Sequence, residues 1–140
     1  MSTVDGAAAA TTSSRAHNRQ RVTTVGLTVV VGLVGWLVAR LAAGPLFARM
    51  GPSGPVVEVT LLGAGVVSAL VGFLGWGVLT LLERTRRPRA AWIAIGSVVL
   101  LLSFGGPLAA VGTGAVVALL CLHAVVGAVV IVGLARTTER

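Results

Sequence analysis

The sequence predicts an all-α protein: a four-helix transmembrane bundle with both termini cytoplasmic and a disordered N-terminal tail. Three observations carry that expectation. Of the 140 residues, 56% are hydrophobic and only 11% charged, with a mean hydropathy of +0.98. A soluble domain keeps roughly a quarter of its residues charged, so this chain lacks the polar surface to face water. The apolar residues fall into four long runs. The 11 basic residues, all arginine, cluster between those runs and at the chain ends.

Residues 1–21, MSTVDGAAAATTSSRAHNRQR, are rich in Ala, Thr and Ser and end in a cluster of Arg15, Arg19 and Arg21. They show no apolar period, and a cytoplasmic tail without fixed structure is expected. A four-span membrane domain over 22–136 follows, then a short cytoplasmic C-terminus, 137–140. The first span covers about 22–43. Its uncharged run from Val22 to Ala39 is 18 residues long and sits behind a polar leader. A secretory signal has an apolar core of roughly 7–15 residues, so a retained span is expected. The second span covers about 56–82, the third about 90–106 and the fourth about 115–135. About 20 apolar residues cross a hydrocarbon core of about 30 Å. The third run is the shortest and needs Gly105 and Gly106 to complete its crossing.

Arginine counts set the orientation. Nine arginines lie in the tail, the second loop and the C-terminus, against Arg40 and Arg49 on the opposite side. The loop GGPLAAVGTG carries no charge. By the positive-inside rule both termini face the cytoplasm, in the plasma membrane. Trp36 is then placed toward the outer leaflet, with Trp76 and Trp92 near the inner one.

Small residues give the packing. Helices in lipid associate mainly by close backbone approach. Thr28, Gly32, Gly35, Ala39 and Ala42 recur at steps of three and four on span one, and Gly65, Ser68, Gly72 and Gly75 do so on span two. The expectation is a tight seam between these two spans. VGLVGWLVARL (31–41) and VGFLGWGVLTL (71–81) share six of eleven positions, which we read as shared packing chemistry rather than an inverted repeat.

Few residues could carry chemistry. His123 lies about eight residues, or roughly 12 Å, into span four, where an ionisable group is a functional candidate. Its alternatives are a proton relay or ligand contact, and a neutral imidazole bonded to a nearby hydroxyl or carbonyl. Gly127, one turn on, would let another helix approach the ring. Arg40 and Glu58 close the first outer loop from its two ends, so an ion pair at the loop base is expected, with a shallow outer binding site as the functional alternative. Arg84, Arg86, Arg87 and Arg89 form a basic turn, ERTRRPR, suited to anionic lipid headgroups or acting as a topology signal alone. The cluster is short and has no aromatic platform, so no nucleic-acid partner is expected.

Cys121 is the single cysteine, which rules out an intramolecular disulfide. On a helix it lies about 200° from His123, so the two cannot hold one metal together. A haem would need a second axial ligand, yet His17, Met1 and Met50 all lie outside the spans. No cofactor or metal is expected. No phosphate-binding glycine loop, His-Glu metal pattern or intramembrane carboxylate pair is present, and an enzyme is not expected.

The stretch GWGVLTLLERTRRPRAAWIAIGSVVLLLSFGGPL (75–108), followed by LHAVVGAVVIVGL (122–134), resembles a family of uncharacterised four-span membrane proteins from actinobacteria. The likeness covers about 22–136 and is most specific at the GW…LLER end of span two, the LSFGGPL turn and the LH of span four. The family pattern expects a proline where Val132 stands. The resemblance implies the topology and no activity. The functional expectation is therefore a non-enzymatic membrane subunit or scaffold, packing on a second copy or on another membrane protein. The alternative is a small transporter or proton-coupled carrier using His123.

Overall fold

A computed structural model describes residues 3–51 and 53–138, with side chains from Asn18 onward. Met1 and Arg140 lie outside the described residues, as do the side chains of Arg15 and His17. The elements are α1 (Thr3–Ala43), β1 (Phe47–Arg49), β2 (Val56–Glu58), α2 (Leu61–Leu82), α3 (Pro88–Ser103), α4 (Gly105–Leu108) and α5 (Thr113–Ala135), then a single 3-10 turn over Arg136–Thr138. Among the described residues, four segments are long and apolar enough to cross a membrane: Asn18–Ala43, Leu61–Leu82, Pro88–Leu108 and Thr113–Thr138. Large side chains such as Leu41, Leu62 and Leu102 project outward, each at least 75% exposed. A surface of this kind is stable against acyl chains and not against water.

The helix does not begin at the expected boundary. α1 runs back to Thr3, through the segment expected to be disordered. Alanine is the strongest helix former, and Ala7–Ala10 lie upstream of a span that already supplies the costly nucleus, so extension adds one hydrogen bond per residue. At its other end α1 stops at Gly44, whose φ of +75° is a left-handed conformation that glycine adopts without a Cβ penalty. The Gly44 amide donates to the Arg40 carbonyl at 3.0 Å.

The second span starts later than expected. Val56–Glu58 is a strand, paired antiparallel with β1 in the register Phe47↔Glu58, Ala48↔Val57, Arg49↔Val56. β-branched valines behind Gly54-Pro55 favour extended backbone over helix. The helix begins only after Thr60, whose hydroxyl caps it by accepting from the Gly63 amide at 3.1 Å. On the other flank of β1, the Arg49 amide donates to the Ala109 carbonyl (3.0 Å) and the Val111 amide to the Phe47 carbonyl (2.9 Å). β1 thus pairs with β2 on one side and bridges to Ala110 on the other, with Leu46 fully buried.

In the third crossing, α3 supplies 16 residues, about 24 Å of helix. Phe104 keeps right-handed helical angles and donates to the Leu101 carbonyl at 3.3 Å. The chain tightens there and continues as α4, so the segment reaches 21 residues, or about 31 Å.

The helices alternate in direction. α1 packs against α2 and α5, and α3 against α5 and α2, with α2 also touching α5. Two apolar cores result. Leu79, Trp92, Val130, Leu134 and Ala135 fill the end that holds the start of the first span and the end of the last. Ala39, Leu46, Ala115 and Leu119 fill the end under the hairpin.

Candidate functional site

Between the two cores the helices touch through glycine. A Cβ on Gly32 would lie 2.0 Å from Ser68 Oγ and 2.9 Å from Ser68 Cβ, and one on Gly72 would lie 3.1 Å from Val25. Leu33 fits over Gly65 at 3.1 Å. The α1–α2 seam therefore uses Gly32, Gly65, Ser68 and Gly72. Gly35 and Gly75 serve other neighbours. Gly35 receives Leu122 of α5, and Gly75 receives Trp92, Val130 and Leu134. The single seam expected between two spans is shared among four helices, because α1 and α2 each have a further helix to accommodate. Gly127 receives Leu100 of α3.

Trp92 lies at the expected end of the bundle, near the start of α3, but faces inward. It is buried at 4% exposure, and its Nε1–H donates to the Ile131 carbonyl at 3.0 Å. An indole buried among helices needs such a partner, so Trp92 fastens α3 to α5 and is not an interfacial anchor. Trp36 donates to the Val59 carbonyl at 2.7 Å, tying α1 to the chain just after β2. Trp76 stacks on Phe73, centroids 6.4 Å apart.

Among the described residues, two arginine–glutamate pairs stand at opposite ends of the bundle. Arg40, in the last turn of α1, has Nη1 3.4 Å from Glu58 Oε1. Glu58 lies in β2, two residues before the Thr60 cap of α2. At the opposite end Arg21 pairs with Glu83. Glu83 caps the C-terminus of α2, where a negative charge is unfavourable to the helix dipole, and the buried Arg21 guanidinium offsets it. The sequence reading assigned Arg21 to the basic tail and missed this pair. The signal was present: the chain has four acidic residues, and Glu83 is the acid at the α2 end that antiparallel packing brings level with the start of span one. Arg21–Glu83 joins the first span to the end of the second, and Arg40–Glu58 joins the other end of the first span to the hairpin.

His123 is half-buried on α5. Its Nδ1 lies 3.2 Å from the Leu119 carbonyl one turn back. A carbonyl only accepts, so Nδ1 carries the donated proton and Nε2 is the ring's acceptor in the neutral form. The bond stays within α5 and does not tie it to another helix. Gly96 meets Ile131 and Gly127 meets Leu100. Cys121 faces another way, into an apolar groove of about 440 Å³ between α1 and α5. Among the described residues no three of His, Cys, Asp and Glu come together.

The basic turn spans the α2–α3 connection and the start of α3. Arg84, Arg86, Arg87 and Arg89 are all exposed, and Arg89 also lines, together with Arg136, a cavity of about 450 Å³.

No curated protein and no solved structure matches the chain. The matching family model is described as a family of unknown function, DUF6069, and it covers residues 12–140. With that match over nearly its whole length, this multi-pass chain belongs to the DUF6069 family.

Proposed function

We propose that the protein is a non-enzymatic component of the plasma membrane, a small subunit or scaffold that packs on a second copy of itself or on another membrane protein, with both termini cytoplasmic. The observation that carries this reading is how the polar groups are used. Glu58 and Glu83 are each engaged by an arginine at a membrane boundary, and the intramembrane imidazole bonds to its own helix. Ion-coupled carriers place carboxylates deep in the bundle, along the path of the ion. Here Glu83 ties the first span to the second, and Glu58 ties the first span to the hairpin. The arginine asymmetry supports the orientation, because the start of span one, the α2–α3 turn and the end of α5 share one end of the bundle.

A second reading, a small proton-coupled carrier, is favoured by one feature: the Nδ1–H bond leaves Nε2 as the proton acceptor within a span. Extraction in mild detergent and measurement of particle mass separates the two. A subunit or scaffold gives a protein mass above the 14.1 kDa monomer. A monomer whose proteoliposomes show proton flux, lost in His123→Ala, would overturn the proposal.

A further inference from the structure

The hairpin between α1 and α2 has one covered edge and one open edge. On β1, the Arg49 amide donates to the Ala109 carbonyl and the Phe47 carbonyl accepts from the Val111 amide. On β2, the alternation of an antiparallel ladder decides which groups face β1. The Val59 amide donates to the Leu46 carbonyl (2.8 Å), and the Pro55 carbonyl accepts from the Met50 amide (3.0 Å). Residues 55, 57 and 59 therefore turn their backbone toward β1. The N–H and C=O groups of Val56 and Glu58 point the other way, and among the described residues no backbone hydrogen bond reaches them. Strand edges are commonly blunted by a proline or by an unpaired charge. Here Pro55 turns its backbone inward, and the Glu58 carboxylate is engaged by Arg40 of its own chain. Val56, the other edge residue, is 44% exposed. Nothing on this edge repels a second strand.

We propose that β2 is a self-association edge, onto which a second copy of this chain adds its own β2, antiparallel, about a twofold axis at Val57. The strand is complementary to itself in that register. Val56 exchanges two hydrogen bonds with the partner's Glu58, Glu58 exchanges two with the partner's Val56, and the two Val57 residues stand directly opposite. Every outward group of both strands is then satisfied. Charge permits the pairing, because each Glu58 lies opposite a valine and not opposite the other Glu58. The axis of an antiparallel pair is perpendicular to the sheet, and along the bilayer normal it keeps both copies in one membrane orientation. A second copy is the occupant that meets this edge at the right depth, since its own β2 lies at the same membrane boundary. The inference rests on the reading of the protein as one that packs on itself, and names the surface.

The test is disulfide cross-linking of the full chain in membrane vesicles with copper phenanthroline, with Cys121→Ala removing the single native thiol. Directly opposite residues of a non-hydrogen-bonded pair have Cα atoms about 4.5 Å apart, within the span of a disulfide. Val57→Cys should therefore run as a covalent dimer of twice the 14.1 kDa chain. Arg49→Cys is exposed on β1 and would stand three strand spacings, about 14 Å or more, from its counterpart, so it should stay monomeric. Val56→Pro, added to Val57→Cys, removes one outward N–H from each copy. It leaves the bonds to β1 in place and should weaken the pairing by about 30-fold. Equal cross-linking of the two cysteine variants would overturn the proposal, as would cross-linking that Val56→Pro leaves unchanged. A detergent particle of twice the monomer mass in which Val57→Cys does not cross-link would overturn β2 pairing and leave self-association standing. A monomeric particle with no cross-link would overturn both.

Discussion

Adding one methyl group at Gly32 tests the α1–α2 seam. The new Cβ would lie 2.0 Å from Ser68 Oγ and 2.9 Å from Ser68 Cβ. The hydroxyl can rotate away. The Ser68 Cβ is fixed to its backbone, so α1 and α2 must separate by several tenths of an ångström. That loosens the neighbouring contacts of Gly65 and Gly72 as well. Overpacking of this kind costs about 1–3 kcal/mol. Against it stands the helix-propensity gain of Gly→Ala, up to about 1 kcal/mol. Gly26 supplies the control, because nothing lies within 4 Å of a Cβ built there. Gly26→Ala should be neutral or slightly stabilising, and Gly32→Ala should be less stable than it by about 2 kcal/mol. Unfolding in mixed detergent micelles, titrated with SDS, reads both. Ser68→Ala combined with Gly32→Ala should recover part of the loss, since it removes the nearer of the two clashing atoms. If Gly32→Ala matched Gly26→Ala in stability, the close approach of α1 and α2 would be refuted.

Other substitutions probe the remaining joints, read by the same unfolding titration unless stated. Leu46→Ala empties a fully buried position beneath the hairpin and should cost about 2–4 kcal/mol, with faster amide exchange across β1 and β2. Trp92→Phe removes the indole N–H from the Ile131 carbonyl and part of the packing over Gly75, a loss of about 1–2 kcal/mol. Glu83→Gln leaves the buried Arg21 with a neutral partner. Because the Glu83 side chain is 37% exposed, the cost should stay near 1 kcal/mol, well below that of a fully buried pair.

The number of spans was legible in the sequence because length and hydropathy alone decide which segments cross a bilayer. Arg40 and Glu58 could be paired because they end one short loop between antiparallel neighbours. The partners of Gly35 and Gly75 could not be read in the same way. Their spacing reports a face of small residues but not which helix that face meets, and the α1–α5 contact joins segments far apart in the chain. The hairpin was hidden because three-residue strands carry no usable alternation, and Val56, Val57 and Val59 read as the start of the second span despite Glu58 among them. For Trp92 the end of the bundle was legible, but not its burial against α5. An indole within reach of a helix carbonyl on a packed neighbour is satisfied inside the bundle, and the headgroup region then offers it nothing further. The depth of His123 was legible, whereas its bond to Leu119 depends on a rotamer that spacing does not reveal.

The central claim is that the polar groups of this bundle hold the helices and do not conduct. Proton flux measured in liposomes containing wild type or His123→Ala, under an imposed pH gradient, tests it most directly. The account predicts that both preparations decay at the rate of protein-free liposomes. A flux in wild type that is absent in His123→Ala would contradict it and make His123 the proton carrier.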